Sequence, residues 1–254
     1  MGQLEGKTAV VTGGSTGIGL ATAVRLADEG AYVFVTGRRE AELDAAVKRI
    51  GAHRATAVAG DIAKPVDLDR LYAAVQSRGG GLDVLVANAA TGAFVTLEET
   101  TEDHFDQTFA VNVRGTMLTV RKALPVLNDG ASVVLIGSTA ADRGVAAFGA
   151  YAASKAAVRS FARTWSTELK DRGIRVNVVS PAWIETPGGT AAFGTRRPPG
   201  PSGRMSPRPC PRGVSDGPRR RPQPWPSSPR SRAAMSWAPT STSTEARTRP
   251  EHQT

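Results

Sequence analysis

Two side chains whose types and spacing could do acid–base chemistry stand at Tyr151 and Lys155, in the run Tyr-Ala-Ala-Ser-Lys. On a helix, residues four apart lie one turn apart on the same face. A free tyrosine titrates near pH ~10 and is a poor acid–base group at neutrality, but a nearby positive charge favours its phenolate, and Lys155 could supply one. Taken alone, the pair reads better as an ordinary surface contact. Two further polar residues stand out. Ser138 follows an apolar run, residues 131–137, that reads as a strand, so its hydroxyl is delivered at the strand's carboxyl end. Asn112 lies inside a helical stretch that begins with a hydroxyl cap and acids at Thr101, Glu102 and Asp103 and runs to about Val120. Asparagine is a poor interior helix residue, so its place amid Phe109, Val111 and Val113 suggests a specific hydrogen-bonding task.

These groups need a partner and a frame, and residues 8–19 supply the first sign of both. Here an apolar strand breaks into glycines and becomes a helix closed by Gly30. Gly13, Gly17 and Gly19 permit a tight turn and let a pyrophosphate approach the backbone, with Ser15, Thr16 and Ile18 between them. The free N–H groups and positive end of the following helix attract phosphate. A glycine turn alone is weak evidence; between a buried strand and an amphipathic helix it becomes a dinucleotide fingerprint.

The chain continues as alternating strands and helices. A second strand, 32–36, ends at Gly37-Arg38-Arg39, beside the expected adenosine ribose. An acid there would favour NAD, whereas arginine suits a 2′-phosphate; Gly37 stands in the acid's place, so Arg38 points to NADP, with NAD still possible. The other reading is a solvated basic pair at a helix start. A helix over 40–50, a third strand over 55–59 and a helix over 65–77 follow. Asp61, with Ile62, could meet the adenine, or Asp61 could cap a turn. A fourth strand over 82–88 leads to Asn88 and Ala89 at the carboxyl edge. The fifth strand delivers Ser138, a helix runs from Tyr151 to about Lys170, and the sixth strand spans 175–180. Crossover-length connections predict an α/β fold with a doubly wound, mostly parallel sheet covered on both faces.

In this order and at these separations, residues 12–19, Asn88-Ala89-Ala90, Asn112, Ser138 and Tyr151 to Lys155 resemble the short-chain dehydrogenase/reductase family over residues 1–193. The resemblance implies a Rossmann-type fold and hydride exchange between a nicotinamide and a carbonyl or alcohol. It makes Tyr151 the general acid–base and gives Ser138 a hydrogen bond to the substrate oxygen. Lys155 would hold the nicotinamide ribose and lower the tyrosine pKa, and Asn112 would support a proton relay. The stretch 180–186 resembles the segment that meets the cofactor's carboxamide, carried here by Pro181, Ile184 and Thr186. Ala90 and Ala182 stand where the family commonly has glycine. The family also implies a small-molecule substrate, no metal and a homotetramer. Phe94, Val95, Arg143, Val145 and Trp183 are candidate pocket neighbours, with core or surface roles as alternatives.

Composition divides the chain. Residues 1–193 carry 20 basic and 20 acidic side chains, whereas 194–254 carry 12 arginines against 3 acids and hold the whole net charge of +9. This Pro/Arg/Ser-rich tail reads as disordered, and prolines every few residues exclude a long helix or central strand there. An out-of-frame origin fits better. Reading residues 234–246 from each codon's third base can give Tyr-Val-Val-Gly-Thr-Asp-Leu-Tyr-Val-Asp-Gly-Gly, and residues 211–220 can give Lys-Gly-Arg-Leu-Gly-Arg-Ala-Glu-Glu; both resemble the family's carboxyl-terminal segments. A frame change near Thr195 would remove the substrate lid and last strand, put tetramer assembly in doubt and leave at most an inactive or unstable remnant that binds cofactor. Nucleic-acid binding through the arginines would be salt-sensitive and sequence-indifferent, and Trp225 and Trp237 are too isolated to form a stacking platform. One cysteine, Cys210, excludes an internal disulfide. The absence of a signal-peptide core or an apolar spanning stretch predicts a soluble cytoplasmic protein.

Overall fold

A computed structural model describes residues 2–184 and 186. The expectations for residues 194–254 lie outside the described residues. In chain order the fold runs β1 (Thr8–Thr12), α1 (Gly17–Asp28), β2 (Tyr32–Gly37), α2 (Glu40–Ile50), β3 (Ala55–Ala59), α3 (Pro65–Arg78) and β4 (Leu82–Ala87). It continues with α4 (Glu102–Phe109), a π-helical segment (Ala110–Gly115), α5 (Thr116–Ala123), β5 (Leu127–Ile136), α6 (Gly149–Glu168) and β6 (Arg175–Val179). Among the described residues, six strands form one sheet in the order β3-β2-β1-β4-β5-β6, every neighbouring pair parallel. This is the doubly wound Rossmann order. Thr12 pairs with Thr36, Ala87 with Leu135 and Ile136 with Val179, so the carboxyl ends share one edge. The strand order reverses between β1 and β4, and that is where a crevice opens in such sheets.

The two-residue period of the strands sorts the core. Val10, Phe34, Leu85, Val133 and Leu135 join one buried cluster with Leu68 and Leu71 of α3, Leu118 of α5 and Val158 of α6. Ala9, Val11, Val33, Val35 and Val86 point the other way, onto Ala23 and Ala27 of α1 and Leu43 of α2. Fully burying one such valine or leucine is worth about 1.5–3 kcal/mol. Coverage of the second face falls off along the sheet: Val84, Val134 and Ile136 are only partly buried, and Val179 is 51% exposed. The expectation of two covered faces thus holds over β1 and β2 and weakens toward both edge strands, β3 and β6, among the described residues.

Local signals explain most boundaries. Pro65 occupies the first turn of α3, and Gly79, at φ 80°, ends it. Thr101 caps α4, its Oγ1 accepting from the His104 N–H at 3.1 Å. Two differences from the sequence reading matter. The helix expected to run unbroken past Asn112 is interrupted by the π-helical turn at 110–115. β5 starts at Leu127, four residues earlier than the apolar run, because its pairing with β4 shifts register between Leu82 and Val84 and takes in residues 127–130.

Candidate active site

The site is a cleft of about 1210 Å³ along the carboxyl edge, with the glycine turn at one end and Tyr151 and Trp183 toward the other. Gly13 and Gly17 hold φ values of +62° and +55°, in the left-handed region where side chains are strained. A Cβ on Gly13 would come within 2.9 Å of Ala89 Cα and Asn88 Nδ2, and one on Gly19 within 2.1 Å of the Gly13 carbonyl. The turn is therefore closed on its own backbone and on the end of β4. Thr12 Oγ1, buried, accepts from the N–H groups of both Asn88 and Ala89 at 3.0 Å, and Asn88 Nδ2 donates to the carbonyls of Thr12 (2.9 Å) and Gly13 (3.1 Å). Thr16 precedes α1 but makes no side-chain capping bond, leaving the first turn's N–H groups and positive dipole end for another acceptor. Close backbone approach and an unanswered helix start are what a pyrophosphate requires, so the residues present fit a dinucleotide.

Toward the adenosine end, Arg38 and Arg39 line the cleft with Glu42. Arg39 pairs with the Glu42 carboxylate, which also receives Ser15 Oγ at 3.4 Å, a long contact. Asp61 lines the cleft while its Oδ1 accepts from the Ala63 N–H at 2.9 Å, so it caps a turn as well.

At the other end, Lys155 is 3% exposed, and its Nζ donates to the Ile136 carbonyl at 2.8 Å. Burial brings its pKa down to about 8. Tyr151 is largely buried, and this raises its pKa; a hydrogen bond with Ser138 pulls the other way but does not win. The depression by Lys155 expected from the sequence is not what this geometry produces. The ammonium stands 5.7 Å from the ring centroid and is engaged with a strand-end carbonyl. Asn112 is 1% exposed, with every amide hydrogen used: Nδ2 donates to the Thr91 carbonyl (2.8 Å) and to Ser154 Oγ (3.0 Å), while Oδ1 accepts from the Thr91 N–H (2.8 Å). Ser154 in turn donates to the Tyr151 carbonyl at 2.7 Å. Asn112 thus fastens the loop after β4 to the first turns of α6.

Of the residues singled out from the sequence, all those expected at the cofactor or the chemistry line the cleft except two. Gly19 lies beneath the turn and Asn112 behind the wall. Thr186 lies against Gly17, where a Cβ would stand 3.1 Å from Thr186 Cβ. Arg143, Val145 and Trp183 line the cleft, and Phe94 stacks on Trp183. Sequence reasoning missed Phe148, Glu42 and Ser154. Phe148 stacks on Tyr151 with centroids 4.4 Å apart, and its place three residues before the tyrosine was its one available signal. Just before it, Ala147 holds φ +61°, the only non-glycine among the described residues with positive φ, at a cost of roughly 1–2 kcal/mol.

A parallel Rossmann sheet with a glycine turn at its crevice and a buried Tyr-Lys pair beside a strand-end serine defines a nicotinamide-dependent oxidoreductase. A model of the short chain dehydrogenase family matches residues 7–196, and the chain belongs to that family of NAD(P)-dependent dehydrogenases/reductases. Among its relatives, Oxidoreductase asL5 of Sarocladium schorii is 46% identical over 186 residues, 72% of this chain and 74% of that protein. Human Dehydrogenase/reductase SDR family member 4 is 36% identical over 188 residues, 72% of this chain and 68% of that one. A short chain dehydrogenase from Burkholderia cenocepacia J2315, solved in complex with NADP, superimposes with a TM-score of 0.70 at 40% identity over 73% of this chain and 77% of that chain. Among the described residues no helix is long and apolar enough to cross a membrane.

Proposed function

We propose that this protein is an NADP-preferring carbonyl reductase in which Tyr151 delivers the proton. The observation that carries this reading is the joint placement of Ser138, Tyr151 and Lys155 at the carboxyl edge of the sheet, facing one cleft with the glycine turn. Bound nicotinamide supplies the hydride that a carbonyl carbon accepts in reduction. The chain's own residues handle the oxygen. The Tyr151 hydroxyl, kept protonated by burial, gives its proton to that oxygen, and Ser138 donates a hydrogen bond to it. Lys155 holds the nicotinamide ribose and, when charged, stabilises the phenolate left behind. Asn112 and Ser154 act through Tyr151 by fixing its backbone, and are positioning residues. Gly13, Ser15, Thr16, Gly17 and Ile18 hold the pyrophosphate; Asp61 and Ile62 flank the adenine; Asn88 and Ala89 pass beside the ribose; Pro181, Ile184 and Thr186 face the carboxamide. Arg38 answers the 2′-phosphate, a preference that the NADP complex of the Burkholderia cenocepacia protein supports.

The test is NADPH oxidation, followed by absorbance, against a panel of ketones and aldehydes, with Tyr151→Phe as control. Loss of a positioned general acid costs about 10²–10⁴ in rate. A Tyr151→Phe protein that keeps the wild-type rate would sink the assignment.

A further inference from the structure

We infer that Asp67, which does not line the cleft, is a positioning residue for the adenine end of the cofactor, acting through the Asp61 main chain; the inference rests on the placement of adenine beside Asp61 proposed above. Asp61 does line the cleft. Its Oδ1 is taken by the Ala63 N–H at 2.9 Å, and its Oδ2 makes no hydrogen bond among the described residues. An ionised carboxylate oxygen only accepts, and the donor that adenine offers on its edge is its exocyclic amino group. Where that oxygen stands depends on where the Asp61 backbone is held.

Asp67 is the third residue of α3, and a carboxylate there can turn back to the N–H of the residue just before its helix. Here the Lys64 N–H already donates to the Asp61 carbonyl at 2.9 Å, and Asp67 Oδ2 reaches further, accepting from the Asp61 N–H at 2.8 Å. Asp61 is thus bonded on both sides of its Cα. Its N–H, ahead of the Arg70 and Lys64 charges, holds the Asp67 carboxyl below the usual carboxylate range, so the acceptor is an anion and the bond is charge-assisted. Asp67 Oδ1 pairs with Arg70 at 3.0 Å, and the same guanidinium nitrogen donates to the Ala59 carbonyl at 3.2 Å, tying the carboxylate to the end of β3. A Cβ on Gly60 would stand 2.9 Å from Asp67 Cβ, so the side chain lies directly against the turn that carries Asp61.

The test titrates the full chain with NADPH and with its hypoxanthine analogue, in which a carbonyl replaces the adenine amino group, and reads the fluorescence of the reduced nicotinamide. Wild type is expected to bind NADPH the more tightly. In Asp67→Ala the NADPH affinity falls about threefold to tenfold, the worth of one hydrogen bond, while affinity for the analogue changes less than about twofold. Asp67→Asn, whose amide oxygen still accepts from the Asp61 N–H, keeps most of the NADPH affinity. Circular dichroism checks that the variants fold; where Asp67→Ala does not, Asp67→Ser, with a hydroxyl one bond too short to reach the Asp61 N–H, gives the same comparison. Equal losses for the two cofactors, no loss for either, or no rescue by asparagine overturns the inference and leaves the adenine placement standing. A wild-type chain that binds the two cofactors equally, or binds neither, overturns that placement and the inference with it.

Discussion

Replacing Asn112 by leucine, which fills nearly the same volume, removes three hydrogen bonds at a position 1% exposed without opening a cavity. Each is worth about 1 kcal/mol net. Ser154 keeps its bond to the Tyr151 carbonyl, and partly buried Thr91 can recover some loss through water. The expected cost is therefore about 2–3 kcal/mol rather than the full desolvation of every partner. It should appear as a lower urea midpoint with an unchanged slope, because the folded state stays compact. A local readout separates this from general core damage: the Thr91 amide, which loses its acceptor at 2.8 Å, should exchange with solvent faster than the amides of β4. A cost under about 0.5 kcal/mol with an unaltered Thr91 exchange rate would refute the view that Asn112 works by fastening this loop.

Three other outcomes are expected. Lys155 titrates near pH 8 when folded against an ordinary value of 10.5, so between those values the unfolded chain binds more protons and stability rises with pH. Lys155→Met lacks this rise, on the order of 3 kcal/mol across the window, and parallel urea-stability curves for the two proteins from pH 7.5 to 10.5 would contradict it. Arg38→Leu should weaken NADPH binding about tenfold or more with little effect on NADH, while Glu42→Gln, which releases Arg39, should improve NADPH binding; titration by fluorescence measures both, and equal changes for the two cofactors would count against them. Finally, the coding DNA should carry, one base out of frame at codons 234–246, the Tyr-Val-Val-Gly-Thr-Asp-Leu run; a sequence with other synonymous codons removes the frame-change proposal.

How far the sequence could be read depended on whether a feature was local. Strand ends and glycine turns were legible because Gly, Pro and the two-residue apolar period act over a few neighbours: β3 and α2 begin and end at the expected residues. The π-helical turn was not, because one extra residue per turn leaves the run Phe109, Val111 and Val113 looking equally helical. Asn112 was marked as having a hydrogen-bonding task, but its partners, Thr91 and Ser154, are 21 and 42 residues away and come together only in three dimensions. Lys155 shows the same limit more sharply. Its spacing from Tyr151 suggested charge meeting phenol, yet the burial and strand-end carbonyl that set its protonation belong to other elements.

The bonding of Thr12 bears on how the molecule admits its ligands. One buried hydroxyl on β1 receives two amides from the end of β4, and Asn88 returns two bonds to the turn beyond β1. The two halves of the sheet are thus riveted together at the very place where their strand order diverges. The floor of the crevice behaves as a fixed jaw that cannot gape on a hinge. Above it the strips 91–95 and 143–148 are joined to one another by the Val95 amide, which donates to the Ala147 carbonyl.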